Sequence, residues 1–330
     1  MFRAGFNCLR PRLAVLLTWL LGAPIAYAND SACTRPLEDA LALLTKMEQA
    51  WEQLSDYSAI LLKAERFTDA KTTDEQVFIK FRKPDQLYLQ VLEGANAGAE
   101  LLYPKPGTSN IILARPGGFT GSVAGFLGSL PALGQLVPHE FDLNDGRLME
   151  GQHHPLPDST IGGMIRLIAT NIRTAVRHRE GTMCFHPGEI VNGQPAVKVE
   201  VLFPTEKGIW HTVTEGESFW TVGRTFDQDR YVILYNNPSI DAEHLLPPGQ
   251  PVFVPRYYAQ RALVWISESN DLPIKVQMYD NKQQLYESYA NIDLRIDAGF
   301  TDEEFDPAYH GFPTVTTSDE EKLKAQSIAR

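Results

Sequence analysis

The chain has 330 residues, with 41 acidic against 30 basic side chains and a formal net charge of -11 at pH 7. That acid excess weighs against nucleic acid or an anionic lipid surface as the main partner, and it says nothing about neutral sugars or acyl chains. A chain of this length can bury a large core and hold two domains.

Arg3, Arg10 and Arg12 precede the apolar run "LAVLLTWLLGAPIA", and the small residues Ala26 and Ala28 flank Tyr27. This is the layout of a cleavable secretory signal over residues 1–28. Cleavage removes three arginines and no acid, taking the charge from -11 to about -14. No later stretch approaches the roughly twenty apolar residues of a membrane-spanning helix, so the mature chain is expected to carry no integral span. Cys8 leaves with the signal, while Cys33 and Cys184 stay. A single pair in an exported chain favours one disulfide, with two buried thiols as the alternative.

In "LEDALALLTKMEQAWEQL" the residues Leu37, Leu41, Leu44, Met47, Trp51 and Leu54 share one stripe. They predict a long amphipathic helix, capped around "TRP". The runs "YSAILLKAERF", "EQVFIKFRKP", "QLYLQVLEG", "AELLYP" and "NIILARP" predict an antiparallel meander. Val77, Ile79 and Phe81, like Leu87, Leu89 and Val91, alternate with polar neighbours, which gives the meander one apolar face. Residues 116–138 are rich in glycine and apolar side chains without a clean period. A second helix is expected to start near Pro157 or Ser159 and run through "IGGMIRLIATNIRTAVRH", with Ile161, Met164, Ile165, Ile168 and Ile172 on one face. Strands resume at "AVKVEVLF", "RALVWIS", "PIKVQMYD" and "LYESYANIDLRI", and residues 316–330 form a charged tail.

The stretch from Ala262 to Pro307, with its Leu-Pro turn, "YD" hairpin and "FTDEEFDP" exit, resembles the closing strands of the LolA-like superfamily. "LEDALALLTKMEQAWEQLSDYSAILLKAERF" and "FIKFRKPDQLYLQVLEG" are similar to a bacterial family of unknown function in that group. The resemblance covers most of residues 35–205 and 258–310. It implies an α+β fold: a curved antiparallel half-barrel with helices on its concave face, formed by a discontinuous host domain at 29–208 and 257–315. It also implies a periplasmic location and a lipid or lipoprotein acyl chain as ligand. Under that reading Phe119, Val123, Phe126 and Leu127 form a lid over the cavity; alternatively they complete a filled core.

Between host strands, "HTVTEGESFWTVGRTFDQDRYVILYNNPSIDAEHLLPPGQPVFVP" resembles a LysM module, giving an inserted βααβ domain at 209–256. Glu217 or Ser218 is expected to cap its first helix and Asp229 its second, with Phe219, Val222, Phe226, Ile233 and Leu234 as a small core. Gly223 stands where alanine is usual in the family and is expected to weaken the first helix by up to about 1 kcal/mol. The resemblance implies binding of peptidoglycan through N-acetylglucosamine. The corresponding positions are Gly216, Glu217, Ser218, Phe219 and Trp220 on one side and Asn237, Pro238, Ser239 and Ile240 on the other. Trp220 is either an aromatic platform or a core-edge residue, and the module is either a glycan binder or a degenerate structural insert.

No catalytic constellation stands out: there is no phosphate loop, serine elbow or zinc helix motif. His153-His154, followed by prolines, reads as a solvated loop rather than a metal site. The acids Asp302, Glu303, Glu304 and Asp306 lack the alternation of a calcium loop and read as a solvated turn. The sequence thus points to a non-enzymatic periplasmic protein with no cofactor and no metal. The leading expectation is a glycan-docked LolA-like domain, and the alternative is a lipid or lipoprotein carrier or sensor with a structural insert. A wall-remodelling enzyme, or a regulator of one, comes last.

Overall fold

The computed structural model describes residues 33–68, 71–115, 117, 139–143, 145, 148, 152–240 and 245–312. The signal segment, the four lid residues and the tail at 316–330 lie outside them.

Helix α1 (Glu38–Gln53) is followed by β1 (Asp56–Thr68), β2 (Lys71–Arg82), β3 (Gln86–Glu93), β4 (Glu100–Tyr103), β5 (Ile111–Arg115) and β6 (His139–Asp142). Helix α2 (Ile161–His178) leads to the hairpin of β7 (Thr182–Val191) and β8 (Gln194–Leu202). The insert comprises β9 (Gly208–Thr212), α3 (Phe219–Phe226), α4 (Arg230–Tyr235) and β10 (Pro251–Pro255). Strands β11 (Arg261–Ser267), β12 (Pro273–Tyr279) and β13 (Leu285–Ile296) complete the sheet. Among the described residues the host forms one curved, unclosed sheet of 11 strands in the order β6-β5-β4-β3-β2-β1-β13-β12-β11-β8-β7, all of them paired antiparallel.

Period-two alternation assigns the faces. Ile79, Phe81, Leu87 and Leu89 share one core with the buried stripe of α1 and with Ile161, Met164, Ile165, Ile168 and Ile172 of α2. On the opposite face Tyr88, Leu102 and Leu113 are covered by Phe305 and Phe312 of the exit segment. Both faces of this end of the sheet are therefore shielded from water, which is why its strands are apolar on both sides.

Three local expectations are corrected. Helix α1 has Leu37 at its N-cap, in helical conformation and without a side-chain cap, so "TRP" does not cap it. Strands β6 and β7 were not foreseen: β6 has only four residues, and Pro187-Gly188 sits in β7 where its register with β8 shifts between His186 and Glu189. Helix α2 is preceded by a 3-10 turn at Leu156–Ser159 and capped by Thr160, whose side chain accepts from Gly163 N. A disulfide joins Cys33 to Cys184 on β7, and the adjacent Arg35 forms a backbone bridge with Met183.

The insert leaves after β8 and returns before β11, two strands that pair with each other from Leu202↔Arg261 onward. Its own end strands, β9 and β10, also pair. Joined ends of this kind let a unit enter a sheet without interrupting the ladder.

Candidate functional site

Three places carry chemistry: an apolar cavity, the surface of the insert, and a buried polar cluster between insert and host.

The cavity lies on the helix-covered face. Its walls include Leu61, Val77, Ile79, Leu89, Val91 and Ala114 from β1, β2, β3 and β5, and its volume is about 70 Å3. Lys63, Glu75, Glu100 and Arg115 stand at its polar edge. Lys63 is paired with Glu65 at 3.0 Å and Glu75 at 3.7 Å, and Arg115 with Glu100. The cations at the edge are thus already neutralised by carboxylates.

In the insert, Ser218 caps α3 in a reciprocal arrangement with Thr221. Asp229 caps α4, its Oδ1 accepting from Tyr231 N at 2.8 Å and Val232 N at 3.0 Å. The nine residues assigned to glycan divide. Gly216, Pro238 and Ser239 are exposed, Phe219 and Asn237 are buried, and Glu217, Ser218, Trp220 and Ile240 are intermediate. Phe219 and Ile240 meet in the insert's own core. Glu217 is occupied by His211 Nε2 at 2.8 Å and Thr214 N at 2.7 Å. These bonds hold its carboxyl below the ordinary range, the Thr214 N–H contributing most and His211 next, against a smaller opposing effect of burial. The Asn237 amide ties α4 to β10 through Ile233 O, Phe253 O and Phe253 N, so that side chain is a scaffold. Arg230 lies over the Trp220 ring, 5.5 Å from its centroid. Gly223 is not simply a weak helix former: a Cβ there would lie 2.5 Å from the Gln228 carbonyl oxygen, so the tight link from α3 to α4 requires the glycine. Trp210, which no motif in the sequence marks, is 70 % exposed and packs against Phe253 across the ribbon with ring centroids 5.3 Å apart.

The third place overturns one expectation outright. His153 and His154 do not form a solvated loop, for the side chain of His153 is fully buried and that of His154 nearly so. The β1–β13 register sets Glu65 directly opposite Glu287, both 2 % exposed or less. Like charges in that position repel, and an ion costs several kcal/mol to desolvate, so the surroundings must compensate. His154 Nε2 and the Tyr258 hydroxyl approach Glu287 Oε2 at 3.0 and 2.7 Å. The Tyr289 hydroxyl donates to Glu65 Oε1. His153 Nε2 bonds the Arg66 carbonyl at 2.9 Å, and its ring stacks on Tyr286 with centroids 4.3 Å apart.

Burial opposes a charge on His154, but the field and hydrogen bond of Glu287, helped by Glu65 and Asp229, push its pKa up to about 9. Burial likewise opposes ionisation of Glu287, yet His154 and His153 outweigh it and hold the carboxyl well below its ordinary range. Burial first, and then the neighbouring carboxylates, keep Tyr258, Tyr286 and Tyr289 protonated as donors.

Helix α4 of the insert closes this cluster. Tyr235 donates to the Arg66 carbonyl at 2.5 Å, Tyr286 donates to Asp229 Oδ1 at 2.5 Å, and Tyr231 packs on Phe67 and His153. The insert is therefore attached to the host by its ends and also by a polar joint over β1 and β13.

The family described as "Protein of unknown function (DUF1571)" matches residues 54–215. No curated protein matches the chain. Among solved structures, the chain is similar to a chain of the MucA/MucB complex of Pseudomonas aeruginosa at 14% identity and TM-score 0.35, covering 81% of this chain and 60% of that one. It therefore spans less than two thirds of that relative's length. A LolA superfamily protein of Nitrosomonas europaea is similar at 10% identity and TM-score 0.29, covering 82% of this chain and 98% of that one. The lipoprotein LppX of Mycobacterium tuberculosis is similar at 9% identity and TM-score 0.37, covering 80% and 98%. Among the described residues, no helix is long and apolar enough to cross a membrane.

Proposed function

We propose that the chain is a periplasmic binding protein, a carrier or sensor whose helix-covered face takes an acyl chain of a lipid or lipoprotein. The observation that carries this reading is the apolar cavity on the covered face of an unclosed sheet, walled by Leu61, Val77, Ile79, Leu89, Val91 and Ala114. At about 70 Å3 it is smaller than the ~300–1,000 Å3 of a small-ligand site, so binding a chain requires the site to open. Delipidated residues 29–330 should bind a fluorescent fatty acid saturably, and Ala114→Leu, which fills the cavity, should abolish that binding while keeping the wild-type circular dichroism. No saturable binding by the wild type, or undiminished binding by Ala114→Leu, would reject the proposal.

A second reading is that the insert is a LysM module docking the protein on peptidoglycan. It is favoured by the paired end strands of the βααβ unit and by the open surface at Gly216, where an added Cβ would meet nothing within 4 Å. Because α4 is built into the host, deleting the insert is a poor test. Exposed Ser239 changed to Trp should reduce co-sedimentation with sacculi in the full chain. Failure of the wild type to sediment would remove this reading and leave the acyl-binding one untouched.

A further inference from the structure

We propose that Glu65, His153 and Glu287 form a binding site for a divalent transition-metal ion of the zinc class. One donor atom from each residue lies within 4.8 Å of the others, and all three residues are buried. The geometry follows from the strand register, which sets the two carboxylates opposite one another, and from the segment after residue 151, which drops the His153 ring beside them. His153 N is 3.4 Å from Glu65 Oε1.

The orientation of the imidazole carries the argument. Its Nε2–H is committed to the Arg66 carbonyl at 2.9 Å, the outer-shell bond that metal-ligating histidines make with their second nitrogen. Nδ1 is thereby turned toward Glu287 Oε2 at 3.3 Å. A metal bound here takes the place of the hydrogen bond between Nδ1 and Glu287 Oε2, since an imidazole ligand must give up the proton on its ligating nitrogen. Glu287 Oε1 is buried without a hydrogen-bond partner, and a buried orphan acceptor demands an explanation. Glu65 Oε2 also has no hydrogen bond, although it is ion-paired with Lys63 at 3.0 Å.

The neighbours suit an outer shell. Tyr289 donates to Glu65 and Tyr258 to Glu287, which fixes both carboxylates in place. His154 and Lys63 also face these carboxylates, so a metal must compete with two cations, which points to a moderate rather than an extreme affinity. The donor set selects the class of ion. One imidazole and two carboxylates suit zinc, iron or nickel, whereas calcium requires six to eight oxygens and magnesium keeps several waters. Three protein donors leave one position of a tetrahedral ion for Glu287 Oε1 or a water. Among the described residues a second cluster of donors, at Cys33, Cys184, His186 and Glu200, has its two sulfurs joined in the disulfide and so offers no thiolate.

The test uses the oxidised chain, residues 29–330, stripped by a chelator and dialysed against zinc. Elemental analysis should find one ion per chain, and X-ray absorption should show nitrogen and oxygen donors including one imidazole, with no sulfur. His153→Gln should weaken zinc binding by about 100-fold or more, beyond the ~10–100-fold expected for loss of an outer-shell partner in Tyr289→Phe. His186→Asn should leave it unchanged. No retained zinc, sulfur in the coordination shell, or wild-type affinity in His153→Gln would each overturn the proposal. If His153→Gln fails to fold, the absorption spectrum of the wild type decides.

Discussion

Asp229 offers the sharpest test of how the insert is held. A single oxygen, Oδ1, accepts from Tyr231 N, Val232 N and the Tyr286 hydroxyl. Asp229→Ala removes a helix cap, worth about 1 kcal/mol, and a hydrogen bond to a charged group, worth about 1.5–3 kcal/mol. Tyr286 is 2 % exposed, so water cannot readily replace the lost acceptor, and the total loss should be about 2.5–4 kcal/mol. Tyr286→Phe removes the donor together with its need for a partner, so the double variant should lose less than the sum of the singles, with a coupling of about 1–2 kcal/mol. Asp229→Asn keeps an acceptor and should cost about 1 kcal/mol. Urea unfolding followed by tryptophan fluorescence and far-UV circular dichroism compares the four variants with the wild type, provided the two probes report one transition. A loss below 0.5 kcal/mol in Asp229→Ala, or strict additivity with Tyr286→Phe, would show that the joint contributes nothing.

The remaining predictions concern pH, packing and the disulfide. His154 titrates at about 9 in the fold against an ordinary 6.5, so its contribution is complete below 6.5 and fades as pH rises toward 9. Glu287 is depressed from 4.5, so its contribution is complete above 4.5 and is lost in acid; stability from this pair should therefore be greatest between those ordinary values. His154→Gln should flatten the alkaline limb of the thermal midpoint plotted against pH, and an unchanged limb would refute the assignment. Gly223→Ala should lower stability by about 1–3 kcal/mol through overpacking against Gln228, although helix propensity alone favours alanine by about 1 kcal/mol; a stabilised variant in urea melts would overturn this. Replacing both Cys33 and Cys184 by Ser opens a sequence separation of 151 residues and should cost up to about 5 kcal/mol in the chain-entropy model, read as a lowered urea midpoint, and an unchanged midpoint would count against it.

What was legible in the sequence was local. The alternation in β2 and β3 and the stripe Ile161, Met164, Ile165, Ile168, Ile172 follow from backbone period alone. The caps at Ser218 and Asp229 act within three residues and were readable for the same reason. The polar cluster was hidden because its partners are remote: His153 meets Glu65 88 residues upstream and Glu287 134 residues downstream. Only the strand register brings them together, and "HHPLP" read by itself says loop. The need for glycine at 223 is invisible to helix propensity because the carbonyl it avoids belongs to the turn beyond its helix. Strand β7 was lost to the Pro187-Gly188 irregularity and β6 to its shortness.

The joint between α4 and the strands beneath it also bears on how such a protein can change over generations. A unit tied only by paired ends is exchangeable, since any other module with adjacent termini fits the same gap. Here a foreign module would leave the Tyr286 hydroxyl without its Asp229 acceptor and the Arg66 carbonyl without its Tyr235 donor. Substitutions at Asp229, Tyr231 and Tyr235 must therefore be matched by substitutions at Phe67, His153 and Tyr286. Insert and host are under a shared constraint: a change on one side of the joint costs stability unless the other side changes to meet it.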